Sequence, residues 1–67
     1  MSEVKKLGNR EKFLKIYANL PISVKQEIIL VLDNIGPITW NAAFVEVNAD
    51  TKIRKIILEK LQRLEII

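Results

Sequence analysis

Ser23-Val24-Lys25-Gln26-Glu27-Ile28-Ile29-Leu30-Val31-Leu32-Asp33-Asn34-Ile35-Gly36-Pro37 is the stretch on which the fold turns. Ser23 and Gln26 have the spacing of a capping box, in which two side chains satisfy amides left open at a helix start. Val24, Ile28, Val31, Leu32 and Ile35 then recur at helical spacing on one face, and Ile29 and Leu30 widen it. The spacing predicts a helix over 24–35. Apolar around most of its circumference, it is expected to be the central, buried one. Gly36-Pro37 would end it, because Gly adopts the left-handed conformation and Pro cannot continue a helix.

On the N-terminal side, Asn9 is expected to cap a helix over about 10–19. Phe13, Ile16, Tyr17 and Leu20 form its apolar stripe, with Arg10, Lys12 and Lys15 off it. Leu20-Pro21 closes that helix, since the residue before Pro avoids the α region. Residues 1–8 are polar and basic and read as a mobile arm. On the C-terminal side, Thr39 is expected to cap a helix over about 40–47, with Trp40, Ala43, Phe44 and Val47 at i, i+3, i+4, i+7. The β-branched content of Phe44-Val45-Glu46-Val47 also suits a strand, so both readings stand there. After a turn at Asn48-Ala49, Asp50 or Thr51 caps a last helix over about 51–67. Ile53, Ile56, Ile57, Leu61, Leu64 and Ile67 form its core stripe. The expected fold class is therefore all-α: a basic arm, 1–8, and a single domain, 9–67, built as a small bundle of four helices.

Composition narrows the function. A chain of 67 residues is one small domain. It has no Cys and no His, which removes disulfides, thiolate metal sites and the commonest general base. Two Gly leave no Gly-rich phosphate loop. The longest apolar run, Ile28–Leu32, is far too short to span a bilayer, and the first residues lack a signal-peptide core. A cytoplasmic protein without membrane contact is expected. The carboxylates are scattered, and Ser2 and Ser23 have no base partner. No catalytic, cofactor-binding or metal-binding residues are expected, and no enzyme activity.

Charge is more informative. Lys and Arg total 11 against 8 Asp and Glu, a formal net charge of +3. The excess falls in the first and last predicted helices. Lys12, Lys15, Lys52, Arg54 and Lys55 are the candidate DNA or phosphate contacts, against the plainer reading of a solvated helix surface. Trp40, Phe44 and Ile67 are candidate anchors, either of the core or of a partner interface.

Residues 36–67, with a Gly36-Pro37-Ile38-Thr39 entry, a short helix, a turn and a longer helix, resemble the helix-turn-helix of winged-helix transcription regulators. That resemblance implies that Lys52, Arg54 and Lys55 meet DNA, because the second helix of such a motif enters the major groove by its N-terminal end. Asn48 replaces the usual turn Gly, Trp40 and Phe44 make the first helix unusually aromatic, and Ile67 comes where the β-wing would begin. In size, Ile- and Lys-rich composition, lack of Cys and all-helical reading, the whole chain is also similar to the small accessory subunits of the crenarchaeal B-family DNA polymerase holoenzyme. This implies a non-catalytic subunit that docks on a DNA polymerase, supports its activity or stability, and is nucleoid-associated. Direct DNA contact would be salt-sensitive, and a homodimer is compatible with either reading.

Overall fold

The computed structural model describes residues 8–67. The predicted basic arm lies outside the described residues except for Gly8. In chain order the elements are α1 (Asn9–Ala18), α2 (Ile22–Lys25), β1 (Ile28–Leu32), β2 (Gly36–Thr39), α3 (Trp40–Asn48) and α4 (Ile53–Arg63). The fold is mixed α/β, and the all-α expectation is overturned by the antiparallel hairpin of β1 and β2.

The difference lies in the middle of the chain. The predicted helix over 24–35 is instead one helical turn, a strand and the hairpin turn. Leu30 and Leu32 are buried, at 6% and 3% exposure, while Val31 between them is 68% exposed. That alternation is the period of a strand. Ile28, Ile29 and Val31 are β-branched and stiff at χ1, which disfavours a helix and suits a pleated surface. The expected capping box is not formed: Pro21 occupies the N-cap of α2, and Gln26 is already its C-cap.

The hairpin turn is built for its residues. The Ile35 amide donates to the Leu32 carbonyl at 3.3 Å. Asn34 takes a φ of 69°, as the third residue of a type II turn requires, and Asn tolerates that region. Gly36 follows at φ 100°, so it permits the start of a strand rather than the stop of a helix. Leu30 pairs with Ile38, Val31 with Pro37 and Leu32 with Gly36. A bulge between Ile28 and Leu30 brings Ile28 opposite Thr39.

The other elements follow the pattern more closely. Thr39 caps α3 as expected, its Oγ1 accepting from the Ala42 amide at 3.0 Å. Residues 40–47 are thus helical, and the strand alternative is discarded. The Trp40 amide donates to the Glu27 carbonyl at 3.1 Å, tying the start of α3 to the approach to β1. At the end of α3, the Asp50 amide donates to the Val47 carbonyl and the Thr51 amide to the Glu46 carbonyl. With Asp50 at φ 55°, this is a Schellman motif. Asp50 therefore closes α3 instead of capping α4, and Lys52 stands at the α4 N-cap. The same motif ends α4 early: Glu65 has φ 60° and the Ile66 amide donates to the Leu61 carbonyl at 2.9 Å. The last helix stops at Arg63 rather than running to Ile67. Asn9 likewise lies inside α1, with Gly8 at its N-cap.

The core joins all layers. Phe13 of α1, Leu30 and Leu32 of β1, Ile38 of β2, Trp40, Ala43 and Val47 of α3, and Ile57 and Leu61 of α4 form one buried cluster. Ile53 and Ile67 pack against it as predicted, whereas Ile56 and Leu64 are exposed. Phe13 and Trp40 stack at 5.7 Å between ring centroids.

Candidate interaction surface

The cationic candidates separate into different settings. Lys52 at the N-cap and Lys55 on the first turn of α4 are exposed, and Lys12 and Lys15 are exposed on α1. Arg54 is not free in the same way. Its Nε lies 3.3 Å from Asp50 Oδ1, and its Nη1 donates to the Thr51 carbonyl at 3.1 Å. Arg10 Nε donates to the same Asp50 oxygen at 3.2 Å. One carboxylate thus ties α1 to the turn between α3 and α4, a structural use of Arg54 that its sequence position does not reveal. What the fold brings together is Arg10 with Arg54 on Asp50. Lys55 instead lines a shallow cleft with Asn9, Leu58, Glu59 and Gln62. There Asn9 Nδ2 donates to Gln62 Oε1 at 3.0 Å.

The anchor candidates all pack against the rest of the fold, Trp40 fully and Phe44 and Ile67 in part. Trp40 is 8% exposed and belongs to the core cluster. Phe44 is half-buried and stacks on Tyr17 at 4.4 Å, while Lys25 Nζ sits 4.6 Å from the centroid of the Tyr17 ring. Tyr17 Oη in turn donates to Asn41 Oδ1. Ile67 is half-buried against the core cluster.

Part of the exposed apolar surface lies around the hairpin, while Val45 of α3 and Ile56 of α4 are also exposed. Val31 and Pro37 are paired and both exposed, so they share the face turned away from the core. Ile28, at 58% exposure, and Ile35 in the turn are also exposed, as is Ile22 on α2. Beside this face runs a groove of about 290 Å³ lined by Ile29, Leu30, Val31, Lys60, Arg63 and Leu64. Its floor is β1 and its far wall is the last turn of α4. Ile29, Leu30 and Val31 are consecutive, and in a strand their side chains alternate between faces. All three line one groove, so the groove follows the strand edge, the one not paired with β2.

None of these six residues stood among the sequence candidates. The signal that finds Ile29, Leu30 and Val31 is the period-two reading of Ile28–Leu32, which leaves one strand edge and one apolar face without cover; Lys60, Arg63 and Leu64 join them only through the packing of α4. Among the described residues, no group of three or more His, Cys, Asp and Glu side chains is arranged to hold a metal ion. No helix among them is long and apolar enough to cross a membrane. Compared with protein-family models, curated proteins and solved structures, the chain matches none.

Proposed function

We propose that this chain is a non-catalytic binding subunit of a DNA-processing assembly, cytoplasmic and nucleoid-associated, with a DNA polymerase as its protein partner. The observation that carries the binding role is the apolar surface of Ile28, Val31, Ile35 and Leu64, exposed around the hairpin of a domain with a complete core. A small domain that buries an aromatic and aliphatic core and still leaves such side chains in water is suited to a partner that covers them. The DNA-processing context rests on the whole-chain resemblance and on the exposed Lys12, Lys15, Lys52 and Lys55.

The test is a tagged pull-down from the native source after nuclease treatment and a high-salt wash. A stoichiometric DNA polymerase in the eluate is expected. Recovery of the chain alone, or with partners unrelated to DNA, refutes the proposal.

A second reading is a helix-turn-helix DNA-binding regulator. It is favoured by α3 and α4 packed through a short turn, with Lys52 exposed at the N-cap and Lys55 on the first turn of the second helix. Such a protein binds duplex DNA with a steep salt dependence and a sequence preference. Anisotropy titrations on random and selected duplexes separate the two. A specificity ratio near one removes the regulator reading.

A further inference from the structure

We propose that the groove between the open edge of β1 and the last turn of α4 binds an extended peptide segment of a partner protein, apolar in character with Asp or Glu at its centre, added as a third strand beside β1. This rests on reading the chain as a binding subunit and names the chemistry of what it binds.

The backbone supplies the first half of the site. β1 has β2 on one edge only. Val31 pairs with Pro37, which has no N–H to offer, so this is a non-hydrogen-bonded pair of the ladder. The Val31 N–H and C=O therefore point away from β2, toward the groove. Among the described residues no other backbone or side-chain group bonds to them. An open edge of this kind accepts an extended chain, whose main-chain bonds give affinity while the side chains give selectivity.

The walls supply the second half. Ile29, Leu30, Val31 and Leu64 are apolar, and Leu64 is 59% exposed. Lys60 and Arg63 stand on the opposite wall, both exposed, and neither has a carboxylate within ion-pair distance among the described residues. Of the acidic residues flanking them in sequence, Glu59 lines the other cleft and Glu65 follows Leu64 beyond the end of α4, where it is exposed. The groove is thus apolar along the strand and positive along the helix. Glu27 and Asp33 bracket β1 and are exposed. Acidic residues in the occupant are consequently favoured opposite Ile29–Val31 and disfavoured at its ends, where neutral or basic residues fit.

Charge also decides against two other occupants. A second copy paired through β1 across a two-fold axis would carry its own Lys60 and Arg63 to the same groove. Pairing centred on Val31, the residue with the open amide and carbonyl, would bring the four cations together, and pairing centred on Leu30 would in addition set Glu27 opposite Asp33 of the partner copy, where like charges are unfavourable. Nucleic acid would use the two cations and leave the apolar floor and the strand edge unused.

The experiment is selection of a phage-displayed random 12-residue peptide library on the full chain, with sedimentation recorded on the same protein. Enriched sequences are expected to alternate Val, Ile or aromatic residues with central Asp or Glu, and to bind a monomer. Synthetic copies should bind about tenfold or more weakly to a Lys60→Glu/Arg63→Glu variant, which stays folded with a thermal midpoint lowered by the loss of two cations from the last turn of α4. They should bind similarly weakly to Val31→Glu, which sets a negative charge at an exposed position against the acidic centre of the peptide. N-methylation of alternate peptide amides should abolish binding in one of its two phases.

Failure to enrich a consensus, a consensus without acidic residues, or affinities unchanged in both variants overturns the proposal. So does a dimer that Val31→Lys dissociates, which would make a second copy the occupant. Competition by single-stranded DNA with a salt slope set by Lys60 and Arg63 overturns it as well, since nucleic acid would then be the occupant. If the pull-down from the native source retrieves a polymerase equally well with Lys60→Glu/Arg63→Glu, the subunit reading stands and the groove is not its contact.

Discussion

Trp40→Ala tests the claim that the single Trp is spent on the core. Trp40 is 8% exposed, stacks on Phe13 and belongs to the cluster that joins α1, the hairpin, α3 and α4. Truncating a buried Trp to Ala costs about 3–5 kcal/mol, including the cavity it leaves. Loss of the stack on Phe13 falls within or slightly above that range. A domain of this size has a total stability of roughly 3–10 kcal/mol. The variant is therefore expected to be largely unfolded, or to melt about 12–40 °C lower if it folds. Urea and thermal melts followed by far-ultraviolet circular dichroism measure this directly. Val31→Lys is the internal comparison, because Val31 is 68% exposed and its replacement should stay within about 0.5 kcal/mol. A loss below about 1 kcal/mol for Trp40→Ala, with an unchanged denaturant slope, would refute the core assignment. A large, concentration-dependent loss for Val31→Lys would show that the hairpin face is covered by another copy.

The remaining predictions concern single elements. Thr39→Ala removes the side-chain acceptor for the Ala42 amide and should cost about 1 kcal/mol in a urea melt; an unchanged midpoint would mean that the cap is not stabilising. Glu65→Gly relieves a left-handed residue at the end of α4 and should gain about 0.5–1 kcal/mol, whereas a loss would show that Glu65 is held by contacts beyond its backbone. Lys52→Ala with Lys55→Ala should lower the salt slope of any DNA binding by about two units without changing the melt, and an unaltered slope would take both off the DNA surface. Arg54→Ala should instead register as a modest, salt-sensitive loss of stability through Asp50, and a salt-independent midpoint would deny the ion pair that role.

The local signals were legible where one residue pattern had one outcome. Phe13, Ile16, Tyr17 and Leu20 at steps of three and four gave α1 its inward face. The Ile53, Ile57 and Leu61 spacing marked α4, whereas Thr39 before Trp40 marked a cap to a segment whose β-branched residues also suited a strand. The candidate cations were found by type and position, but only the fold separated exposed Lys52 and Lys55 from Arg54, engaged by Asp50. No pattern along the chain brings Arg10 and Arg54 to one carboxylate, since that meeting depends on how α1 crosses the α3–α4 turn.

By itself, the sequence determined an aliphatic-rich chain with an excess of basic residues and a helix toward each end, and it left residues 40–47 open between helix and strand. It did not determine the identity of the middle. Glu27-Ile28-Ile29-Leu30-Val31-Leu32-Asp33 is apolar at every interior position, so helical and strand periods both fit it. Tertiary structure decided: Ile38 across the ladder and Phe13, Trp40 and Leu61 in the core bury Leu30 and Leu32 on one side. Only a strand can turn alternate residues of so short a segment to that core, and in doing so it leaves Val31 and one backbone edge facing out.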